Sequence, residues 1–597
     1  MRLLSAIGAT ALGAAALASG LGFAPGRGSL GTAAAFAAKP PAGERRLALF
    51  YTAEVHGTVE PCGCTSDPLG DISRLATVMA DAKRAGAGVA LVDAGGLGYP
   101  EGAISAKERP SADLRADFLG REMERLGLIG AGLGETDLVG GVAHLGPKRL
   151  ASNIAGPATA SYLRSPTLQK VGDVSVGVLG VADPALASGI GGRAVDMTTA
   201  VQRDIERLRQ QGAEIVVLLA PVERTVARKL ARDTGPDVVV LGKRVGHGLS
   251  RSERVGRAFL VAPEDELQHV GRIDIVLRSP APPENMAPPP PPVLVDAGGE
   301  EGNRVRREEI DRALEKIRLG LVTWAGGAAG ASGTRTSTST PVPGDAAFVA
   351  AKRREQTDLE AERARLSDPW KAPPTGNYVV NALIPLRRAV KRDAAVAKRM
   401  KALDKSIAAA NLAQATPPPP AEPGRASFVG MAKCVTCHRG AGDIWKRTVH
   451  AQAWKTLVDG GKQADLKCVS CHVTGFGQVG GSSLGYTKNL ESVQCETCHG
   501  PGSLHVAGEG EESPLAIKRA VPETVCLGCH TEQHSDTFDY KPYLRDILGP
   551  GHGGHYKEVE LGPGKTGHEL RSAALARAKL AAATAPAAHA APKAPAP

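Results

Sequence analysis

The chain has 597 residues, a formal net charge of +10 and ten cysteines. This length is enough for two or three domains, each with its own hydrophobic core. The positive charge does not indicate a nucleic-acid-binding protein, because much of it lies between residues 301 and 410, among mixed basic and acidic side chains that are typical of solvated helices. We therefore expect no nucleic-acid partner.

Residues 1–38 are predicted to be a secretory signal peptide. Arg2 precedes an apolar run of small residues, and the sequence AAAFAAKP offers a cleavage site between residues 35 and 39. We expect a periplasmic or otherwise exported protein with no membrane span after cleavage, because no later apolar run reaches spanning length. An uncleaved membrane anchor is the alternative.

Residues 39–280 alternate short apolar runs with amphipathic stretches, which predicts a layered α/β domain. The predicted strands cover residues 47–51, 89–94, 174–181, 214–220 and 237–242, and the predicted helices include 71–86 and 199–212. Residues 281–300 are rich in proline, which continues neither a helix nor a central strand, so they are predicted to form a linker.

The second half of the chain is predicted to be mostly helical or irregular. Residues 301–413 are predicted to form a charged helical connector, with helical stretches at 301–320, 345–368 and 384–411, and residues 414–425 form a second proline-rich linker. Residues 426–570 contain four CxxCH motifs and are predicted to form a tetrahaem cytochrome c domain. The alanine- and proline-rich residues 571–597 are predicted to be a disordered tail.

Four CxxCH motifs predict four covalently attached c-type haems. Two thiols one helical turn apart add to the vinyl groups of the haem, and the adjacent imidazole then reaches the iron as the proximal ligand. Zinc ribbons also use paired CxxC sequences but do not require a histidine after every second cysteine. The attachment residues are Cys434, Cys437 and His438; Cys468, Cys471 and His472; Cys495, Cys498 and His499; and Cys526, Cys529 and His530.

A second, distal ligand decides whether a haem iron only carries electrons or also binds a substrate. The distal candidates are His450, His505, His552 and His555, with His534 a weaker one. These candidates leave room for at least one five-coordinate haem among the four. The sequence alone does not decide whether such a haem is present.

The stretch from CVTCH through VHAQAW and CETCHGPGSLH to CLGCH resembles the tetrahaem cytochromes c that accept electrons from hydroxylamine oxidation in ammonia oxidisers. The resemblance covers about residues 430–555. It implies distal ligands downstream of the CxxCH motifs, which supports this role for His450 and His505. It also implies stacked haem pairs and allows one haem with an open axial position.

The first domain resembles the metallophosphoesterase domain of secreted 5′-nucleotidases through YTAEVHGTVEPCGC (51–64), LVDAGG (91–96) and GLGETDL (132–138). Active members of that family hold two metal ions that activate water. His56 and Asp93 remain in place here as residual site residues. The departures from the family pattern are Glu54 for Asp, Gly96 for a bridging Asp, Glu135 and Thr136 for an Asn-His pair, and Lys243 for a ligand His. We expect the fold without phosphatase activity, and a residual metal in this domain stays open.

Cys62 and Cys64 are the two cysteines outside the haem motifs, and they directly follow the first block. A disulfide between such close thiols would be strained and easily reduced, which favours a redox role. A turn-locking disulfide and a soft-metal site with His56 are the alternatives. The EPCGC block resembles a subgroup of exported phosphatase-like proteins.

The leading functional prediction is an exported electron carrier whose haems exchange electrons with redox partner proteins or with a small-molecule donor or acceptor, and with the Cys62/Cys64 pair. One alternative is a haem enzyme acting on a small nitrogen or sulfur compound at a five-coordinate haem. A second alternative is an active metallophosphatase or 5′-nucleotidase.

Overall fold

The computed structural model describes residues 43–61, 63–147, 149–243, 248–278, 291–297, 306–315, 317–318, 321, 346–366, 375–510, 517–531 and 533–584. The predicted signal peptide, most of the first linker and Cys62 lie outside the described residues.

Two six-stranded sheets form the centre of the first domain. In chain order its strands are β1 (Arg45–Thr52), β2 (Gly88–Asp93), β3 (Leu128–Ala131), β4 (Ile154–Ala155), β5 (Thr167–Val171), β6 (Val174–Gly180), β7 (Arg193–Ala194), β8 (Ile215–Ala220), β9 (Val238–Leu241), β10 (Glu253–Val255), β11 (Ala258–Val261), β12 (His269–Leu277), β13 (Leu294–Asp296) and β14 (Asn377–Pro385). The first sheet has the order β13-β14-β12-β1-β2-β3 and the second β10-β11-β9-β8-β6-β5, while β4 pairs with β7.

In chain order, the helices up to residue 413 are α1 (Ile72–Arg84), α2 (Arg109–Arg125), α3 (Met197–Gln210), α4 (Arg224–Thr234), α5 (Ala346–Arg365) and α6 (Ala394–Ala413). The two sheets pack face to face: Leu49 of β1 and Val178 of β6 belong to one buried cluster. The opposite face of the first sheet, including Phe50, packs against α1, α2 and α6. Helices α3 and α4 cover the second sheet. Burial of both sheet faces explains the nearly continuous apolar strands, and the predicted layered α/β fold is confirmed.

Strand β14 and helix α6 lie within the segment that the sequence predicts as a helical connector. Strand β14 pairs antiparallel with β12 and parallel with β13, so it completes the first sheet. Helix α6 begins at Ala394, ten residues after the predicted start at residue 384, because residues 377–385 are extended. Asp393 caps the helix by accepting a hydrogen bond from the backbone N–H of Val396.

The C-terminal region consists of short helices joined by irregular segments, as predicted. They are α7 (Met431–Cys434), α8 (Arg439–Trp445), α9 (Ala453–Gly460), α10 (Leu466–His472), α11 (Cys495–His499), α12 (Ser503–Ala507), α13 (Glu523–Cys526), α14 (Tyr540–Ile547), α15 (Gly554–Tyr556) and α16 (Gly567–Thr584). Its largest apolar cluster is small and centres on Val469 and Val473. No helix in the described part of the chain is long and apolar enough to cross a membrane.

Helix α16 contains residues 571–584, which the sequence predicts as the start of a disordered tail. Alanine has the highest intrinsic helix propensity, so an alanine-rich stretch forms a helix where neighbouring residues hold its start. Here the Asp546 carboxylate accepts a hydrogen bond of 2.8 Å from the backbone N–H of His568. The alanine content therefore extends the folded region beyond the predicted boundary at residue 570.

Candidate haem sites and the cleft of the first domain

Each of the four CxxCH motifs makes a helical turn. Helices α10 and α11 contain the second and third motifs completely. In the first motif the backbone N–H of His438 donates to the carbonyl of Cys434 at 2.9 Å, and in the fourth His530 donates to Cys526 at 2.8 Å. The two thiols of each motif therefore lie one turn apart, as attachment to the two vinyl groups requires.

Three of the motif histidines lie opposite a second histidine. The pairs and the distances between their ring centres are His438–His505 at 6.2 Å, His530–His450 at 6.1 Å and His499–His552 at 6.0 Å. An iron bonded at about 2 Å to each of two opposed imidazoles separates their ring centres by about 6 Å. Each pair therefore has the spacing of two axial ligands on one iron.

His472 of the second motif differs from the other three. Among the described residues, no ring contact joins His472 or His555 to another histidine. The Nδ1 atom of His472 lies 2.5 Å from the carbonyl oxygen of Ala453. Because a carbonyl only accepts, Nδ1 carries the hydrogen and Nε2 is left for an iron.

The same orientation recurs at the third motif and its partner. His499 Nδ1 lies 2.6 Å from the carbonyl of Lys518, and His552 Nδ1 lies 2.7 Å from the carbonyl of Ile547. Each contact holds the ring in one orientation and leaves Nε2 available. The two rings of this pair are thus both oriented by backbone carbonyls.

Burial keeps the His450–His530 pair uncharged. It lowers the pKa of His450 below its usual range. It also lowers the pKa of His530 to about 4, with a smaller contribution from His450 itself. Both rings are therefore neutral at neutral pH, which is the form that binds a metal.

The first motif is tied to the third by the buried carboxylate of Glu496. It accepts hydrogen bonds from the backbone N–H groups of Gly430 and Gly502, both at 2.7 Å, and of Val429 at 3.0 Å. Gly430 directly precedes the first motif helix α7, and Glu496 lies inside the third motif. This network brings the two attachment segments together and explains why a carboxylate lies within the CETCH motif.

The attachment thiols form two neighbouring pairs. The Cys434 and Cys495 side chains lie within hydrogen-bonding distance of one another. The Cys471 and Cys529 side chains do so as well. The first motif is therefore adjacent to the third, and the second to the fourth, an arrangement that fits two close haem pairs.

Large apolar side chains are exposed around the motifs. Val449, next to His450, is 79% exposed, and Leu527, within the fourth motif, is 46% exposed. Val506 and Tyr556 lie beside His505 and His555 and are also exposed. Apolar surface of this kind fits a bound porphyrin, and with the imidazole pairs it shows that the residues present suit haem.

In the first domain, a buried arginine occupies the cleft where the phosphoesterase resemblance implies metal ions. The Arg149 guanidinium lies 2.9 Å from Asp137 and 3.8 Å from Asp93, and its side chain is 2% exposed. Burial raises the pKa of Asp93 to about 7, and Arg149 opposes this rise. Sequence reasoning missed Arg149, because a lone arginine outside any motif carries no signal.

Both aspartates also accept hydrogen bonds from neighbouring groups. Asp93 accepts from the Thr52 hydroxyl at 2.7 Å and from the Gly95 N–H at 3.0 Å. Asp137 accepts from the N–H groups of Gly96 at 3.0 Å and of Gly134 at 2.8 Å. With a guanidinium already supplying the positive charge, the residues of this cleft do not fit a two-metal centre.

Glu54 and Gly96, two departures from the phosphoesterase pattern, lie against one another. A Cβ atom at residue 96 would lie 2.9 Å from both Cδ and Oε1 of Glu54 and 3.0 Å from its Cα atom. Gly96 also has a φ angle of 75°, so both its backbone conformation and its contact with residue 54 favour glycine. The Glu54 carboxylate in turn lies 2.6 Å from His56 Nε2. Although burial opposes a charged imidazole, this contact raises the pKa of His56.

The two domains meet at the second haem motif. Arg115 of α2 forms two hydrogen bonds with the Asp465 carboxylate, at 2.9 and 2.8 Å, and both residues are buried. Asp465 also caps helix α10 by accepting from the backbone N–H of Lys467. Nearby, Lys462 pairs with Glu60 at 2.7 Å. Groups of the first domain therefore hold the start of the helix that carries Cys468, Cys471 and His472.

The loop after Cys64 also contacts the haem region. Arg571 of α16 donates a hydrogen bond of 2.7 Å to the carbonyl of Cys64, and the backbone N–H of Ser66 donates to Asp536 at 3.0 Å. Asp536 follows the fourth motif by six residues. Cys64 and Ser66 therefore lie against the haem region.

Residues 433–500 match the family described as cytochrome c554 and c-prime. The chain is 36% identical over 115 residues to cytochrome c-554 from Nitrosomonas europaea, a match that covers 17% of this chain and 48% of that protein. The chain thus spans about half the length of this curated relative. The resemblance predicted from the sequence is confirmed for this region, which has the character of a multihaem c-type cytochrome.

Solved structures similar to the first domain include a 5′-nucleotidase precursor from Thermus thermophilus, with a TM-score of 0.33 and 20% identity over 39% of this chain and 51% of that one. The sulfate thiohydrolase SoxB of the same species has a TM-score of 0.32 and 18% identity over 40% of this chain and 54% of that one. The calcineurin-like phosphoesterase YfkN of Bacillus subtilis has a TM-score of 0.31 and 16% identity over 39% of this chain and 86% of that one.

Proposed function

We propose that the protein is an exported electron carrier with four covalently attached c-type haems, three of them held between two histidines. The observation that carries this proposal is the spacing of the three imidazole pairs, whose ring centres lie 6.0 to 6.2 Å apart. When bound, haem supplies an iron that changes reversibly between the ferric and ferrous states. The signal-peptide pattern of residues 1–38 supports export.

The chain's own residues hold and connect the haem sites. Paired histidines keep an iron six-coordinate, which suits electron transfer rather than binding of a substrate. The contacts Cys434–Cys495 and Cys471–Cys529 would hold the attached haems in two neighbouring pairs, which would favour electron transfer within each pair. Redox partner proteins or a small-molecule donor and acceptor complete the path.

The second motif supports a further role for one haem. Because His472 has no imidazole opposite it among the described residues, the structure favours an open axial position there. A haem enzyme acting on a small nitrogen or sulfur compound is therefore the second candidate function. The buried Arg149–Asp137 pair argues against a metallophosphatase or 5′-nucleotidase, because the Arg149 guanidinium already supplies a positive charge beside Asp137 and Asp93.

The haem number has a direct test. We expect the mass of the mature protein to exceed that of its polypeptide by four haems, and the Cys468→Ser, Cys471→Ser double variant to retain three. Mass spectrometry and the absorbance of the pyridine haemochrome measure both values. A wild-type protein with fewer than four covalent haems would contradict the proposal.

The Cys62/Cys64 pair is proposed to exchange electrons with the haems. Support comes from the contacts of Cys64 with Arg571 and of Ser66 with Asp536, which place this loop against the haem region. Oxidation of the two thiols to a disulfide would release two electrons and two protons, and two oxidised haems would be the one-electron acceptors.

We expect Cys62→Ser to slow the reduction of the haems by a dithiol donor at least about tenfold, because a single thiol cannot form the intramolecular disulfide. Stopped-flow absorbance measures this rate, and the haem spectrum of the variant serves as the control for intact haem sites. An unchanged rate would leave the pair with a structural role only.

A further inference from the structure

The loop that contains Cys64 is fixed to the first domain at its C-terminal end. The Asp67 carboxylate lies 3.5 Å from the Arg387 guanidinium. The carbonyl of Pro68 accepts a hydrogen bond of 3.2 Å from Arg74, a buried residue of helix α1. These contacts set the position of the loop relative to the first domain.

The preceding residues of this loop contact the segment that follows the fourth haem motif. The backbone N–H and the hydroxyl of Ser66 both donate to the Asp536 carboxylate, the N–H at 3.0 Å. Two hydrogen bonds to one charged group fix both the distance and the orientation of Ser66. Arg571 donates to the carbonyl of Cys64 at 2.7 Å, so the cysteine itself is held against the haem region as well.

Asp536 belongs to the segment that orients the motif histidine of the fourth motif. It directly follows Ser535, a buried residue whose hydroxyl lies 2.9 Å from His530 Nδ1. The Phe538 ring stacks on the His530 ring with 4.7 Å between their centres. At the second and third motifs, a backbone carbonyl takes the place of this hydroxyl. The segment that orients His530 is therefore the one that binds the Cys64 loop.

We propose that the Cys62/Cys64 pair exchanges electrons with the haems at the fourth motif, and that Asp536 is the positioning residue that holds the pair there. This inference rests on the proposed redox role of the two cysteines and adds the place of contact. Oxidation of the thiols breaks two S–H bonds and forms one S–S bond. The two electrons pass to two ferric irons, and the two protons pass to solvent, to which Cys64 is partly exposed. A dithiol donor restores the thiols by exchange with the disulfide.

Alkylation of the thiols tests the contact without electron transfer. In the haem-loaded protein the eight motif cysteines are bonded to haem, so iodoacetamide reports on Cys62 and Cys64. We expect Asp536→Ala to raise the alkylation rate of Cys64 at least about threefold, because the loop loses two hydrogen bonds to a carboxylate. Asp539→Ala is the matched control, because both carboxylates are exposed on the same segment and Asp536 is the one that binds Ser66. Peptide mass spectrometry measures these rates, and equal rates in the two variants would overturn the proposed contact.

Haem reduction separates a positioning role from a merely structural one. We expect Asp536→Ala to slow reduction by a dithiol donor at least about tenfold, because the thiols are no longer held at the fourth motif. Reduction by dithionite, which needs no thiol, should keep its wild-type rate. Asp536→Asn retains an acceptor for Ser66 and should recover most of the dithiol rate. A wild-type dithiol rate in Asp536→Ala would overturn the inference without affecting the haem content, which is measured separately.

Two haem-deficient variants test the choice of motif. Cys526→Ser, Cys529→Ser removes the fourth haem and Cys434→Ser, Cys437→Ser removes the first, with the pyridine haemochrome verifying three haems in each. We expect the dithiol donor to reduce the remaining haems at least about tenfold more slowly in the first variant and at the wild-type rate in the second. Equal rates in the two variants would overturn the assignment to the fourth motif. A wild-type rate in Cys62→Ser would overturn it together with the redox role of the pair, and the four-haem carrier would stand.

Discussion

Replacing His552 with alanine is expected to convert one haem from low spin to high spin. His552 lies opposite His499, with 6.0 Å between the ring centres, and its Nδ1 atom is oriented by the carbonyl of Ile547. Loss of the imidazole removes one of two strong axial ligands, which leaves a weaker ligand field at that iron. Electron paramagnetic resonance of the oxidised protein should then show a second high-spin ferric haem in addition to the one expected at His472.

His555→Ala provides the matched control. His555 is three residues from His552 and exposed, but no ring contact joins it to a motif histidine among the described residues. We expect this variant to keep the wild-type spectrum. A new high-spin signal in His555→Ala, or none in His552→Ala, would show that the pairing at the third motif is wrong.

Reversing the charge of Arg115 is expected to detach the two domains. Asp465 and Arg115 are buried together. The Arg115→Glu substitution would leave the Asp465 carboxylate without a partner and facing a like charge. Removal of one partner of a buried ion pair typically costs about 3–5 kcal/mol. We expect a lower thermal midpoint and faster proteolysis within residues 414–425, measured by differential scanning calorimetry and by timed digestion.

Two variants control this prediction. Arg121 is exposed on the same helix, so Arg121→Glu should change stability by no more than about 0.5 kcal/mol. The double variant Arg115→Glu, Asp465→Arg restores opposite charges and should recover most of the lost protease resistance. A double variant that does not recover protease resistance would not contradict the contact. An Arg115→Glu variant that resists proteolysis as well as the wild type would contradict it.

The Arg115–Asp465 contact also depends on pH. Burial opposes ionisation of Asp465, but Arg115 outweighs it and holds the pKa below the ordinary value of 3.8. Since a carboxyl with a lowered folded-state pKa stabilises the protein only when it is ionised, this contribution is present above about pH 4 and lost as the pH falls through the lowered value. The decrease in unfolding free energy caused by Arg115→Glu should therefore be smaller in acid than at neutral pH.

The haem attachment sites could be predicted because covalent chemistry demands a local pattern. Cys434, Cys437 and His438 lie within five consecutive residues, so the motif is visible without any knowledge of the fold. The layered first domain could be predicted for a similar reason, since strands buried on both faces form continuous apolar runs. In both cases neighbouring residues contain the whole signal.

The partners of the motif histidines depend on contacts over long distances in the chain. His505 lies 67 residues after His438, while His450 lies before His530 rather than after it. No spacing rule distinguishes His552 from His555, and the structure separates them because only His552 reaches His499. The resemblance to tetrahaem cytochromes supported His450 and His505 but did not say which motif each one serves.

Arg149 and β14 could not be predicted from the sequence. Arg149 forms an ion pair with Asp137 at 2.9 Å. This contact depends on the path of the chain after β3. Strand β14 is stabilised by β12, which precedes it by about 100 residues, so a short apolar run after a proline-rich segment is ambiguous on its own. These features arise from tertiary packing.

Carbon monoxide binding to the fully reduced wild-type protein measures how many haems have an open axial position. Ferrous haem with an open axial position binds this ligand, whereas two imidazoles exclude it. We predict one carbon monoxide bound per four haems, because His472 is the motif histidine without a second histidine in ring contact in the described structure. Binding of none, or of two or more at saturation, would contradict it.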